Sequence, residues 1–158
     1  MAALSRYTTE VPVSRTLAAI QDNLRAAGAD TVMVEYDQNK QPTAVSFSIQ
    51  TKLGPMSFRM SVDVERIRVV LRNQWLKSVA PKSVTNDGQA ARVGWRILHG
   101  WLEEQLAMIQ IEMATLEQIM LPYAVNAQGQ TVYQILTEPG RMTRLLSATV
   151  ADSPEPAP

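Results

Sequence analysis

Three short runs in the first half of the chain alternate apolar and polar residues, and no other pattern in the sequence restricts the fold as strongly. Val32, Val34 and Tyr36 alternate with Met33, Glu35 and Asp37; Val45, Phe47 and Ile49 with Ser46, Ser48 and Gln50; Met56, Phe58, Met60 and Val62 with Ser57, Arg59 and Ser61. Successive side chains of a strand point to opposite faces, so this period of two predicts three strands with one apolar and one polar face. The connections are short, a polar cluster from Gln38 to Pro42 and a turn at Gly54-Pro55. Short links suit an antiparallel meander, whereas a parallel crossover needs a dozen or more residues. The polar face would display Glu35, Asp37, Ser46, Ser48, Gln50, Arg59 and Ser61, and helices must cover the other.

Apolar residues at three- and four-residue steps supply those helices. Leu17, Ile20, Leu24 and Ala27 predict a first helix over about residues 15 to 27, with Ser14 as its cap and Gly28 free to turn left-handed beyond its end. Asp63 would cap a second, with the stripe Val64, Ile67, Leu71 and Trp75, ending before the Pro81 to Gly88 loop. A third starts near Gln89. Its long stripe runs through Ala91, Trp95, Leu98, Leu102, Ile109, Met113, Leu116 and Met120, and a partial second stripe through Ile97, Trp101, Met108 and Ile111. Two stripes imply contacts on two sides, and the surplus apolar face is a place for an oligomer contact. Unbroken to Leu121 this helix would be about 50 Å long, too long for one small domain. Thr115 and Gln118 fit a capping box, which predicts a break near Ala114 and a short fourth helix before Pro122. Tyr123 to Leu136, with a turn at Asn126 to Gly129 and the β-prone run Thr131 to Tyr133, reads as a small hairpin or an edge addition.

The predicted architecture is α+β: a helix, a three-stranded antiparallel meander, then long helices packed on one sheet face. The 158 residues divide into an N-terminal arm (1–13), a single domain (14–138) and a flexible C-terminal tail (139–158) ending in DSPEPAP.

Cysteine is absent and histidine occurs once, at His99, which excludes thiolate or multi-imidazole zinc sites and disulfides. The N-terminus lacks a basic stretch followed by an apolar one, and no window reaches the roughly 20 apolar residues of a membrane span. A soluble protein of the cytoplasm is expected, with no membrane partner. Nucleotide-binding glycine motifs and the hydrolase elbow are missing, so no cofactor and no catalytic residue is assigned. His99 would be a general base only beside a carboxylate or nucleophile, and it reads as a surface or interface residue. Glu35 and Asp37, two apart on one strand, could hold Mg²⁺ as nuclease carboxylates do, but the acidic residue two positions before a lysine on a neighbouring strand is missing. They read as a solvated strand face and no metal site is assigned.

Formal charge sums to zero but is segregated. Residues 52 to 96 hold nine basic side chains against three acidic ones, while residues 97 to 158 hold two basic against seven acidic. Cations bind phosphates and exposed tryptophans stack on unpaired bases. Lys52, Arg59, Arg66, Arg68, Arg72, Arg92 and Arg96, with Trp75 as the stacking residue, are therefore the nucleic-acid-binding candidates. Trp95 and Trp101 also have the right chemistry, but all three tryptophans, Trp75 included, occupy stripe positions that favour the core. On the second helix Arg68 and Arg72 flank the apolar stripe on one side and Arg66 and Lys77 fall on the other, so no single ridge forms there.

Two stretches, VPVSRTLAAIQDNLRAAGAD (Val11 to Asp30) and RVGWRILHGWLEEQLAMIQIEMATLEQIMLPYAVNAQGQT (Arg92 to Thr131), carry a wider pattern. The second has Arg92 before the Trp95-Arg96 pair, then Ala114, Thr115 and Glu117, Leu121, and the Gly129 to Thr131 step. With the strand pattern leading to AVSFSI, this resembles a family of small uncharacterised proteins encoded by bacteriophages and prophages. The chain departs from the pattern in the Ser78 to Gly88 loop, at Glu112-Met113 where similar proteins tend to have glycine, and in the Pro-rich tail. The resemblance implies phage biology in a host cytoplasm and no assigned activity. The expectation is a phage accessory protein that binds nucleic acid, specifically single-stranded DNA, without catalysis and as an oligomer. The alternative is a protein-interaction module, such as a host-defence inhibitor acting on a host protein or an oligomeric structural protein, using the polar sheet face or the spare helix stripe.

Overall fold

Thr31–Tyr36 (β1), Pro42–Thr51 (β2) and Gly54–Ser61 (β3) form an open antiparallel sheet in the order β1-β2-β3. They belong to a computed structural model that describes residues 2–86 and 88–151. The register sets Val34 beside Val45 and Val45 beside Met60, with Phe47 between Val32 and Phe58. One face is therefore apolar through its centre, as the alternation demands, and the Phe47 and Phe58 rings stack with centroids 5.1 Å apart. On the other face Met33, Ser46 and Arg59 lie side by side.

Two backbone bonds fix the phase of the ladder. Val62 N–H donates to the Thr43 carbonyl at 2.9 Å, and Val125 N–H donates to the Ser57 carbonyl at 2.9 Å. In an antiparallel pair, bonded residues exchange both groups and alternate with residues that turn theirs away. Thr43, Val45 and Phe47 thus bond toward β3, and Ala44, Ser46 and Ser48 toward β1. It follows from the register that Thr31, Met33 and Glu35 bond inward, and that Val32 and Val34 turn N–H and C=O to the free edge. On β3 the odd residues Ser57, Arg59 and Ser61 face outward.

The apolar face is covered by Val13–Ala26 (α1) and Gln89–Gln110 (α3). Trp95, Phe58, Ile20, Leu24, Met60 and Leu102 are each at most 2% exposed there. α1 begins two residues earlier than expected, at Val13 after Pro12, and Ser14 makes no cap bond; Pro12 supplies the extended entry instead. Gly28 takes φ +98°, the left-handed position expected of it. Val64–Leu76 (α2) starts as predicted, with the Asp63 carboxylate accepting the Arg66 N–H at 2.9 Å. It packs on the opposite side of α3 through Leu71, Ala80, Val84, Ala90 and Val93. The two-sided burial of α3 accounts for its two stripes, except that Ile111 and Met113 lie past its end and are exposed. α2 and α3 come close because residue 94 is glycine: a Cβ there would sit 2.5 Å from Ile67 Cδ1 and 2.6 Å from Val62 Cγ1.

α3 closes with Glu112 at φ +58° and a paired cap, Glu112 N–H to Ile109 C=O and Met113 N–H to Met108 C=O, each 3.0 Å. A left-handed non-glycine residue costs roughly 1–2 kcal/mol, partly offset in glycine by its greater unfolded freedom. Glu112→Gly is therefore expected to raise the unfolding free energy by about 0.5–1 kcal/mol, read from the urea midpoint. The break is followed by Leu116–Met120 (α4), which carries the predicted Thr115 and Gln118 capping box.

The N-terminal arm is tied to the domain: Gln74, buried in α2, accepts from Leu4 N–H at 3.0 Å and donates to the Ala2 carbonyl, and Gln89, buried at the start of α3, donates to the Tyr7 and Thr9 carbonyls at 2.7 and 3.1 Å. The small hairpin or edge addition expected over residues 123–136 is present as bridges, Ala124 to Phe58 at the β3 edge and Val125 to Thr131; beyond them Val132–Leu136, expected as β-prone, is a helix (α5), because Thr131 and Gln134 form a second capping box. Arg141–Ala151, placed in the tail, is helical (α6), while residues 152–158 fall outside the described residues.

Candidate binding groove

β3 ends against the flank of α2, and between them, α3 and the Pro122 to Gln134 segment lies a groove of about 880 Å³. Its walls are Met60 and Val62 from the strand end, Ile67 and Val70 from α2, Ile97, Leu98 and Trp101 from α3, and Tyr123 and Tyr133. Leu4 of the N-terminal segment also contributes. Trp101 packs against Tyr123 with ring centroids 5.4 Å apart. The polar groups are few: Arg59, Asp63 and Arg66 from the strand end and α2, Thr131 and Gln134 from the far wall, and Ser61. By the phase of the ladder, Ser61 turns its backbone N–H and C=O outward, beyond the point where Ala124 and Val125 cover the β3 edge. The groove is thus predominantly apolar, with one strand residue, Ser61, whose backbone faces outward at its wall.

The sequence pointed to Ile97 and Trp101 as a second stripe without saying what it met, and it is this stripe that forms the α3 wall. Met60 and Val62 belong to the apolar sheet face as expected, Met60 in the core and Val62 against Gly94 of α3, and they form the floor of the strand wall.

The predicted nucleic-acid residues fall in four places. Arg59 and Arg66 reach the groove. Arg68 and Arg72 lie on the far flank of α2, 100° per residue placing them well away from Arg66. Arg92 and Arg96 project from the side of α3 opposite Gly94, Leu98 and Trp101. Lys52 is at the β2–β3 turn, about 25 Å along the strand from Asp63, in a separate hollow with Glu112 and Glu117. Several are already engaged. Arg59 grips the Glu35 carboxylate through Nε and NH2 at 2.9 Å, with the Ser46 hydroxyl donating to it at 2.6 Å. The Arg59 and Ser46 bonds hold the Glu35 carboxyl below its usual range, and the same pairing raises Arg59. Arg68 pairs with Glu65, and Arg92 binds the Gln89 side-chain oxygen. Glu117 accepts the Lys52 backbone N–H at 2.9 Å, and its carboxyl is lowered by backbone N–H bonds, its own first, and by the Thr115 hydroxyl. Among the described residues no carboxylate is within ion-pair distance of Arg66 or Arg72. Trp75 is half-buried against the α2–α3 core, and Trp95 is wholly buried, which removes it as a stacking platform.

His99, read from the sequence as a surface or interface residue, is 6% exposed. Its Nε2 is 3.3 Å from the Asn23 amide of α1, and its Nδ1 is 3.4 Å from both Arg96 and Glu103. Arg6 lies over Gly100, where the missing Cβ leaves it room. Burial pushes the imidazole below its ordinary 6.5, against the opposing pull of Glu103, with Arg96 and Arg6 adding to the depression. Below pH 6.5 the unfolded chain takes this proton before the folded one does, so stability falls with pH, at most by about 1.4 kcal/mol per unit for a single proton. His99→Gln is expected to flatten that slope in denaturation curves taken from pH 7 downward.

Among the described residues, no helix is long and apolar enough to cross a membrane, and no three His, Cys, Asp or Glu side chains converge to hold a metal ion. No family model, curated protein or solved structure matches the chain.

Proposed function

We propose that the chain is a non-catalytic protein-interaction module that binds an extended apolar segment of a protein partner in the groove between β3, α2 and α3. The observation that carries this reading is the coincidence of an apolar channel of about 880 Å³ with the outward-facing backbone of Ser61 at its strand wall. Main-chain pairing supplies affinity in such a mode, and pockets for alternate side chains supply specificity. The likeness of Val11 to Asp30 and Arg92 to Thr131 to small phage and prophage proteins favours a host protein, met in the cytoplasm, as the partner. The test is selection of binders from a random-peptide library, followed by titration of the selected peptides against the intact chain and two variants. Ser61→Pro removes the groove-facing N–H at an edge position that tolerates proline. Val70→Glu puts a charge in the apolar wall.

A second reading, single-stranded DNA, is favoured by Arg66 at the groove and Arg72 on the opposite flank of α2, whose guanidinium groups have no acidic partner among the described residues; a strand held by both must wrap around α2. It requires oligonucleotide affinity that falls log-linearly with salt and that is lost when Arg66 and Arg72 are changed to Glu. Affinity independent of both changes excludes these residues as the site.

A further inference from the structure

We infer that two copies of the chain pair through β1, antiparallel about a twofold axis at Met33, to form one continuous six-stranded sheet. The two edges of the three-stranded sheet are treated differently. The β3 edge is partly covered by Ala124 and Val125, whereas β1 is the terminal strand of the sheet and, among the described residues, pairs with β2 alone. On β1, Val32 and Val34 turn N–H and C=O to that edge. Such a row templates pairing unless lysine, proline or an inward charge blocks it, and Thr31–Tyr36 carries none of these: its one charge, Glu35, is held by Arg59.

The edge is self-complementary. With the axis at Met33, Val32 faces Val34 of the second copy and Val34 faces Val32, giving four main-chain bonds between residues whose groups already point outward. An axis at Val34 would instead enlist Tyr36, where the β1–β2 register shifts and the alternation is lost. Met33 is 62% exposed in the single chain and would lie directly against its copy as a non-bonded pair. The first turns of the neighbouring flank of α1, which border a small hollow with Val34, Tyr36 and Pro42, are Val13, Ser14, Leu17, Ala18 and Gln21, without a charge; the next residue along this flank, Arg25, is paired with Asp22. Depletion of charge is the composition of an interface centre, and the small side chains of Ser14 and Ala18 let α1 approach its copy over the seam. The inference is independent of the groove, which lies at the other edge of the sheet.

The chain contains no cysteine, so a single one reports cleanly. Opposed non-bonded residues have Cα atoms about 4.5 Å apart, within the range a disulfide spans. Met33→Cys is expected to form a disulfide-linked dimer under mild oxidation, much faster than Leu53→Cys at the exposed β2–β3 turn. Sedimentation of the unmodified chain is expected to give twice the 17.5 kDa mass. Met33→Lys, which opposes two like charges at an exposed site, is expected to return it to the single mass with its circular dichroism unchanged. A single-chain mass for the unmodified protein, equal linking rates for the two cysteine variants, or a dimer that survives Met33→Lys would each overturn the inference.

Discussion

Phe58→Ala is expected to lower the unfolding free energy by about 3–5 kcal/mol, the range for removing a buried aromatic ring. Phe58 is fully buried in the middle of β3, stacked on Phe47, and its backbone bridges Ala124. The cavity would open in a core whose members are fixed, the stacked Phe47 in the central strand and Trp95 of α3 in the same cluster, so collapse around it is limited and the upper part of the range applies. The urea midpoint should fall while the slope stays constant, and Val69→Ala, on the exposed face of α2, should stay within about 0.5 kcal/mol of the parent. A loss under about 1 kcal/mol for Phe58→Ala would mean that the sheet and α3 do not share one packed core.

Gln89→Leu is expected to cost about 2–3 kcal/mol, for a different reason. The leucine fills a similar volume but leaves the Tyr7 and Thr9 carbonyls without their donor and the Arg92 guanidinium without its acceptor. Each polar group left unpaired in a buried setting costs about 1–3 kcal/mol, reduced here because a freed segment can reach water. The loss should be local: amide exchange should accelerate in residues 4–9, and Leu4 should leave the groove wall, with exchange in β2 unchanged. Gln89→Glu keeps an acceptor for Arg92 but not the donor, and should loosen the segment equally. Uniform acceleration through the sheet would show instead that residues 2–9 are not a separately held strap.

The sheet was legible because its pattern has a period of two and each run is bounded by turn residues, so that register and buried face follow from local chemistry. Thr115 and Gln118 were likewise read correctly as a cap. The same Thr-x-x-Gln signal at Thr131 and Gln134 was passed over because Val132 and Tyr133 favour strands, and the cap won over propensity. The N-terminal strap could not be read, since Gln74 and Gln89 are polar residues whose role depends on carbonyls more than 70 positions away. Charge was the least transferable signal. Nine cations within residues 52 to 96 look like one patch along the chain, but β3, α2 and α3 turn them to different sides of the molecule. The groove was legible only as the unexplained stripe of Ile97 and Trp101.

The most direct measurement is titration of library-selected peptides into the intact chain and the Ser61→Pro and Val70→Glu variants, followed through tryptophan emission, to which Trp101 in the groove wall contributes. The expected result is saturable binding of sequences with alternating apolar residues, a shift in emission, and about a tenfold or greater loss of affinity in each variant at unchanged stability. Selected peptides that bind both variants as tightly as the parent chain would contradict the groove as the binding site.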